Sequence, residues 1–296
     1  MDLFLHLCVM IIIYIIFAMS LNLEVGYTGL FNFGHVAFFG ISAYTSALLS
    51  LQQVPFELSL LIALAMAGLW GFLLSIPSLR LRGDYFGIVT LGFGEIIRMV
   101  FQNEVWFTKG PMGLPGIPKP ILFSYRFATL SQYLLLTLGF AALTFLILRI
   151  ILRSPFGRVL RAIREDEVAA EALGKNVFFF RIKSFVIGSL FAGLAGTLWG
   201  HYTTFISPGD FTLLETILVL LIVVLGGKGT EWGPVLGAFV LIFFQESLRF
   251  LRLPAEWTRY LAPLQQMIFG GLLIVLMIFR PEGLLKEKGR GSNAGN

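Results

Sequence analysis

Stretches of about twenty predominantly apolar residues follow one another along almost the whole of this chain. A helix needs roughly 20 such residues to cross about 30 Å of hydrocarbon, and inside it every backbone polar group must be satisfied within the segment. Leu3 to Leu23, Phe31 to Leu51, Phe56 to Leu74, Tyr85 to Phe101 and Leu130 to Leu152 read as spans on this ground. Ser184 to Thr203, Phe211 to Leu225, Pro234 to Phe250 and Leu261 to Phe279 complete the set. The reading is an all-α polytopic membrane protein of about nine spans, eight to ten if a helix is broken at a glycine-rich start. Residues 1–279 form one transmembrane domain, and 280–296 a basic, then small and polar, disordered tail.

Composition agrees. Of 296 residues 57% are hydrophobic and only 13% charged, whereas a soluble domain carries about 25%. The mean hydropathy is +0.84. A net charge of +5 fits basic loops at a membrane face and gives no ground for a nucleic-acid partner. The single cysteine, Cys8, rules out an internal disulfide. The first run lacks a basic leader and a small-residue cleavage site, so it reads as a retained span.

One interval breaks the pattern. From 153 to 183, Arg153, Arg158, Arg161, Arg164, Lys175, Arg181 and Lys183 stand with Glu165, Asp166, Glu167 and Glu171. Ser154 can cap a helix with Pro155 in its first turn, Asp166 can cap a second, and Gly174 can end that one in a left-handed conformation. Val168, Ala169, Ala172 and Leu173 then share one face. It is apolar and mostly small, which admits a foreign backbone closely, while Arg161, Arg164, Glu165 and Glu167 form a charged rim that can fix register. The alternative is a solvated amphipathic loop that meets only lipid headgroups.

Arg80 and Arg82, the charged loop, Lys228, and Arg280, Lys286, Lys288 and Arg290 all fall on one side when the spans alternate. The positive-inside rule makes that side cytoplasmic, with the C-terminus inside and the N-terminus outside. Arg252 and Arg259 fall on the other side as mild exceptions. The Gly/Pro-rich interval from Gln102 to Thr129 is then external.

Glycines cluster before the second span (Gly26, Gly29, Gly34, ahead of His35) and before the eighth (Gly226, Gly227, Gly229, Gly233). Such clusters permit unwound backbone or close helix crossing; the alternative is that glycine is simply frequent in spans, and there are 32 of them. Glu95 with Arg98, and Glu246 with Arg249, are three apart and can neutralise each other toward the outer ends of their spans. They read either as interfacial pairs that snorkel or as a polar rim for a substrate or partner. Asn32 and Thr90 offer dipoles to a conducting path, or bonds to neighbouring backbone. His6, His35 and His201 have no metal-ligand spacing. GxxxxGK[ST], HExxH and GxSxG are absent from the sequence, so neither ATP binding through a P-loop nor these hydrolytic chemistries is expected of this chain.

Six blocks occur in an order that is recognisable: GYTGLFNFGHVAFFGISAYTSALL from Gly26, GDYFGIVTLGFGEI from Gly83, RSPFGRVLRAIREDEVAAEALG from Arg153, SPGDFT from Ser207, VVLGGKGTEWGPVLGA from Val223 and FRPEGLL from Phe279. From about Leu21 to Leu285 the chain resembles the M-type permease subunits of branched-chain amino acid ABC importers. The resemblance implies a bacterial or archaeal cell membrane and a related second permease. It also implies two ATPase subunits that hold the ATP and Mg, and an extracytoplasmic substrate-binding protein. It implies that Arg161, Ala162, Arg164, Glu165, Ala169, Ala170, Glu171 and Gly174 lie in a coupling loop that docks into the ATPase. No metal and no cofactor of this chain's own is implied. Similar permeases serve urea and short-chain amide importers, and a passive channel or ion-coupled carrier is the reading from a different class.

Overall fold

The structure, a computed structural model, describes residues 2–78, 81, 84–122 and 125–250, with positions 267, 270, 271, 274, 275, 278 and 283–285. Most of the predicted ninth span, the tail beyond 285, Arg80, Arg82, Arg252, Arg259, Arg280 and the side chains of Glu246 and Arg249 lie outside the described residues.

Helices α1 (Asp2–Asn22), α2 (His35–Leu51), α3 (Phe56–Ser78) and α4 (Asp84–Asn103) come first. A short α5 (Val105–Thr108) and a long α6 (Leu130–Arg153) follow. Then come α7 (Pro155–Glu165), α8 (Glu167–Ala172), α9 (Val177–Thr203), α10 (Leu213–Gly226) and α11 (Gly233–Phe250). Five segments, Leu3–Tyr27, Phe56–Ser78, Leu130–Arg153, Val177–Thr203 and Pro208–Gly226, are long and apolar enough to cross a membrane. Helices α2 and the His-free stretch Gly233–Gln245 of α11 are apolar but shorter, and α4 is 20 residues long but carries Glu95 and Arg98. The chain is thus a helical membrane protein, but the expected count of nine is not reached among the described residues.

Three boundaries differ instructively from expectation. The first helix does not stop at Leu23 but continues as a π-helical turn, Leu23–Tyr27, all buried. The second begins only at His35, leaving 29–34 as non-helical backbone between the two. The sixth begins at Val177, where the Asn176 side chain accepts a hydrogen bond from Phe179 N at 3.0 Å, so the charged interval's last residues are already helix.

Close packing depends on missing side chains at helix crossings. A Cβ at Gly196 of α9 would lie 2.0 Å from the Phe39 carbonyl of α2, so the two backbones touch directly. Around that seam Phe38, Phe185, Tyr44 and Phe211 are fully buried, with Phe38 edge-on to Phe185 and Tyr44 stacked on Phe101 at 4.2 Å. The outward faces of α3, α6 and α11 show leucine and phenylalanine: Leu61, Phe72, Leu138, Leu146, Phe239 and Phe243 are exposed, as lipid requires.

The bundle has two distinct ends. At one, α7 and α8 stand beside the π-turn and the α10–α11 loop. At the other, the Gly/Pro-rich interval forms two minimal antiparallel pairs, β1 (Leu114–Pro115) with β4 (Phe205–Ile206), and β2 (Ile121–Leu122) with β3 (Tyr125–Arg126). His201 ties that end down, its ring bonded to Ser46 Oγ at 2.8 Å and to the Pro118 carbonyl at 2.7 Å. Among the described residues no group of His, Cys, Asp or Glu is arranged to hold a metal ion.

Candidate functional site: the interrupted helix and the loop that grips it

The π-turn and the irregular stretch after it put buried polar groups where a straight helix would have none, and each must find a partner. Asn32 supplies most of them. Its amide nitrogen donates to Glu24 Oε2 at 2.9 Å and lies 3.4 Å from His35 Nδ1. Its carbonyl oxygen accepts from Gly34 N at 2.9 Å. Ser20 Oγ donates to the Phe17 carbonyl at 2.6 Å, so its 2.8 Å contact with His35 Nε2 is one it accepts. The other ring nitrogen, Nδ1, faces both the Asn32 amide and the Glu24 carboxylate. His35 also stacks on Phe17 at 5.3 Å. Glu24, 0% exposed, lies with Oε1 3.4 Å from His35 Nδ1. No side chain on α9 separates it from that helix: a Cβ at Gly188 would fall 2.2 Å from Oε1.

The second glycine cluster closes over the first. Asn22 Oδ1 accepts from Gly229 N at 2.9 Å, and its Nδ2 donates to the Thr230 carbonyl at 2.9 Å. Gly26 abuts Gly229 so closely that a Cβ on Gly26 would lie 2.4 Å from the Gly229 nitrogen. Gly227 and Gly229 adopt φ of +113° and +77°, which only glycine takes freely. A Cβ at Gly226 would collide with the Gly233 carbonyl. Leu284 N and Leu285 N donate to the carbonyls of Leu225 and Gly226 at 2.7 and 3.1 Å, so these two leucines cap the end of α10. Arg149 and Arg153 of α6 pair with Glu231 in the same loop at 3.2 and 2.8 Å.

Helix α4 is bolted to this junction. Phe33 N donates to Thr90 Oγ1 at 3.1 Å. Gly34 sits against the α4 backbone, where a Cβ would be 2.0 Å from the Thr90 carbonyl.

Helices α7 and α8 hold it from the other side. The Arg164 guanidinium donates to the Gly26 carbonyl, and its stem runs 3.3 Å from where a Cβ on Gly29 (φ +73°) would be. Arg161 lies over the Tyr27 ring, 5.2 Å from its centroid, a cation–π contact. Leu160, fully buried, packs with Met19, Leu23 and Tyr27. Helix α8 is fixed by Asp166, which caps it by accepting from Ala169 N at 2.9 Å. A two-pronged Arg181–Glu167 pair at 2.8 and 3.0 Å ties α8 to α9, and Gly174 ends it at φ +76°.

The sequence-predicted residues therefore divide. Arg161 and Arg164 turn inward onto the interrupted helix, and Ala170 is buried with Ile163 and Val177 in a small core of the loop's own. Ala162, Glu165, Ala169, Glu171 and Gly174 face outward, as do Val168 at 74% and Leu173 at 77% exposure. Ser154 stands at the start of α7, but its hydroxyl donates back to the Ile151 carbonyl at 2.6 Å and does not cap. Gly26, Gly29, Asn32, Gly34, His35, Thr90, Gly226, Gly227, Gly229 and Gly233 all converge on one junction. A cavity of about 680 Å³ opens beside it, between Phe31, Phe33 and Phe86 on one wall and Glu171 and Arg181 on the other. Sequence reasoning missed Glu24, Ser20, Asn22 and Gly188. A lone carboxylate just past an apolar run was the available signal for Glu24.

Residues 3–277 match the family described as branched-chain amino acid transport system, permease component. The chain is 39% identical, over 92% of its length and 68% of the relative's, to the high-affinity branched-chain amino acid transport system permease protein LivM of Escherichia coli K12. It is 30% identical, over 93% of its length and 91% of the relative's, to the probable branched-chain amino acid transport permease protein LivM of Methanocaldococcus jannaschii. It is also 29% identical, over 59% of its length and 49% of the relative's, to the autoinducer 2 import system permease protein LsrC of Yersinia pestis. No solved structure matches it. By the extent of these matches the chain belongs to the permease-component family of branched-chain amino acid transport systems.

Proposed function

We propose that this chain is the permease subunit of an importer for leucine, isoleucine and valine, driven by separate ATPase subunits. The observation that carries the reading is the two-sidedness of the α7–α8 loop. Its inner face holds the interrupted first helix through Arg164, Arg161 and Leu160. Its outer face, Val168, Ala169, Ala172 and Leu173, is exposed and apolar. A loop so built transmits a push from an outside partner to the backbone between α1 and α2.

In this reading the loop side faces the cytoplasm, and the two ATPases bind ATP and Mg and grip α8. A second, related permease stands beside this one, and an extracytoplasmic protein delivers the amino acid. Closure of the ATPases on ATP shifts the permease pair between inward-open and outward-open states, and hydrolysis resets them. The chain moves no bonding electrons; its part is to convert displacement of α7 into rearrangement of the junction.

The test is uptake of radiolabelled leucine by the assembled transporter in vesicles. Leu173→Glu places a charge on the docking face without touching the junction. ATP-driven uptake is expected to vanish while membrane insertion persists; uptake at the wild-type rate contradicts the reading.

A further inference from the structure

Among the described residues, α4 is unlike the other helices that look outward. The outward faces of α3, α6 and α11 are apolar away from their ends. That of α4 carries an ion pair, Glu95 with Arg98, at 41% and 25% exposure. Arg98 Nε donates to both Glu95 oxygens at 3.0 Å, and Nη1 to Gln102 Oε1 at 3.1 Å. Glu95 is eleven residues from Asp84 and eight from Asn103 in a 20-residue helix, about 17 and 12 Å along the axis at 1.5 Å per residue. Glu95 therefore stands within about two residues of the middle of α4, and Arg98 one turn nearer its C-terminal end. Ionic side chains midway along a membrane helix face protein or water, not lipid.

We propose that this face of α4 borders the substrate path and that Glu95 and Arg98 read the ammonium and carboxylate of a free amino acid; this rests on the amino-acid reading above. Both groups keep capacity to do so. A guanidinium has five N–H groups and a carboxylate accepts about four bonds, more than the pair and Gln102 consume. The surface around them suits the rest of a branched-chain substrate. Ile88, seven residues before Glu95, and Met99, four after it, are exposed on its face, and Gly92, one turn before Glu95, has open space where a side chain would stand. The face is also connected to the drive. Gly94, adjacent to Glu95, lies on the Gly34 backbone, 3.2 Å from its Cα by the position a Cβ would take. The junction that Arg164 holds is thus one residue away from the pair.

The experiment uses the complete transporter in vesicles, with leucine uptake, ATP hydrolysis and subunit co-purification measured for Glu95→Gln, Arg98→Gln and the exchanged pair Glu95→Arg with Arg98→Glu. Losing one charge-assisted contact to the substrate corresponds to about tenfold or more in uptake. Each single variant is expected to fall by that much with subunits still assembled, and the exchanged pair is not expected to recover, because the order of charges along the helix is reversed. Wild-type-like uptake by either single variant overturns the proposal. So does recovery in the exchanged pair, the sign of simple self-neutralisation, or loss of the second permease from the purified complex, the sign of a subunit contact. Failure of the unaltered transporter to accumulate leucine falls on the amino-acid reading instead.

Discussion

Arg164, on a helix outside the bundle, donates a hydrogen bond to the carbonyl of Gly26, inside the π-turn that ends the first span. The Gly26 carbonyl is free to accept because the helix ends one residue later, at Tyr27, and the last carbonyls of a helix have no intrahelical donor. The bond joins a segment with an open apolar face to the one place in the first helix where backbone geometry has already been loosened. Leu160 and Arg161 place the rest of α7 on the same turn, so helix and turn are expected to move together.

Gly188 tests how tightly the junction is packed. Gly188→Ala sets a methyl 2.2 Å from Glu24 Oε1, and neither the backbone of α9 nor the Asn32-bound carboxylate can retreat easily. Overpacking of this kind costs about 1–3 kcal/mol. The purified variant is expected to melt earlier in detergent; an unchanged melting temperature would mean that Glu24 relocates freely.

Asn22 holds the two glycine clusters together by accepting from Gly229 N and donating to the Thr230 carbonyl. Asn22→Leu removes both bonds, and each buried group left unpaired costs about 1–3 kcal/mol. Asn22→Asp keeps the acceptor and loses the donor. The order of thermal stability is expected to be wild type, then Asp, then Leu; equal losses would place the stabilisation elsewhere.

Ala170 and Leu173 separate the loop's fold from its docking. Ala170 is 3% exposed against Ile163 and Val177, so Ala170→Arg is expected to open the loop to protease. Leu173→Glu, at an exposed position, is expected to leave protease resistance unchanged and to cost co-purification of the ATPases. The reverse pattern would show that α8 docks through its other face.

Much of this architecture is legible in the sequence because membrane spans declare themselves by length. Asp166 and Gly174 were readable as the start and stop of α8, since capping and left-handed termination depend on single residues. Ser154 was not, because a hydroxyl at that position can turn back to the preceding helix. The two glycine clusters were visible, but not that they meet: Asn22, which joins them, sits over 200 residues from Gly229, and no local pattern reports such a contact. The inward turn of Arg161 and Arg164 was hidden for a similar reason. On periodicity they belong to a solvated rim, and only the irregular backbone at 23–29 gives them something buried to bind.

The central claim is that force reaches the junction through Arg164 and Gly26. It is tested most directly by measuring ATP hydrolysis and leucine uptake on the same vesicles carrying the assembled transporter with Arg164→Gln. Docking through α8 should survive, so hydrolysis is expected within about twofold of wild type while uptake falls about tenfold or more, the equivalent of one lost charge-assisted hydrogen bond. Hydrolysis and uptake both at wild-type levels, or both falling in step, would contradict it.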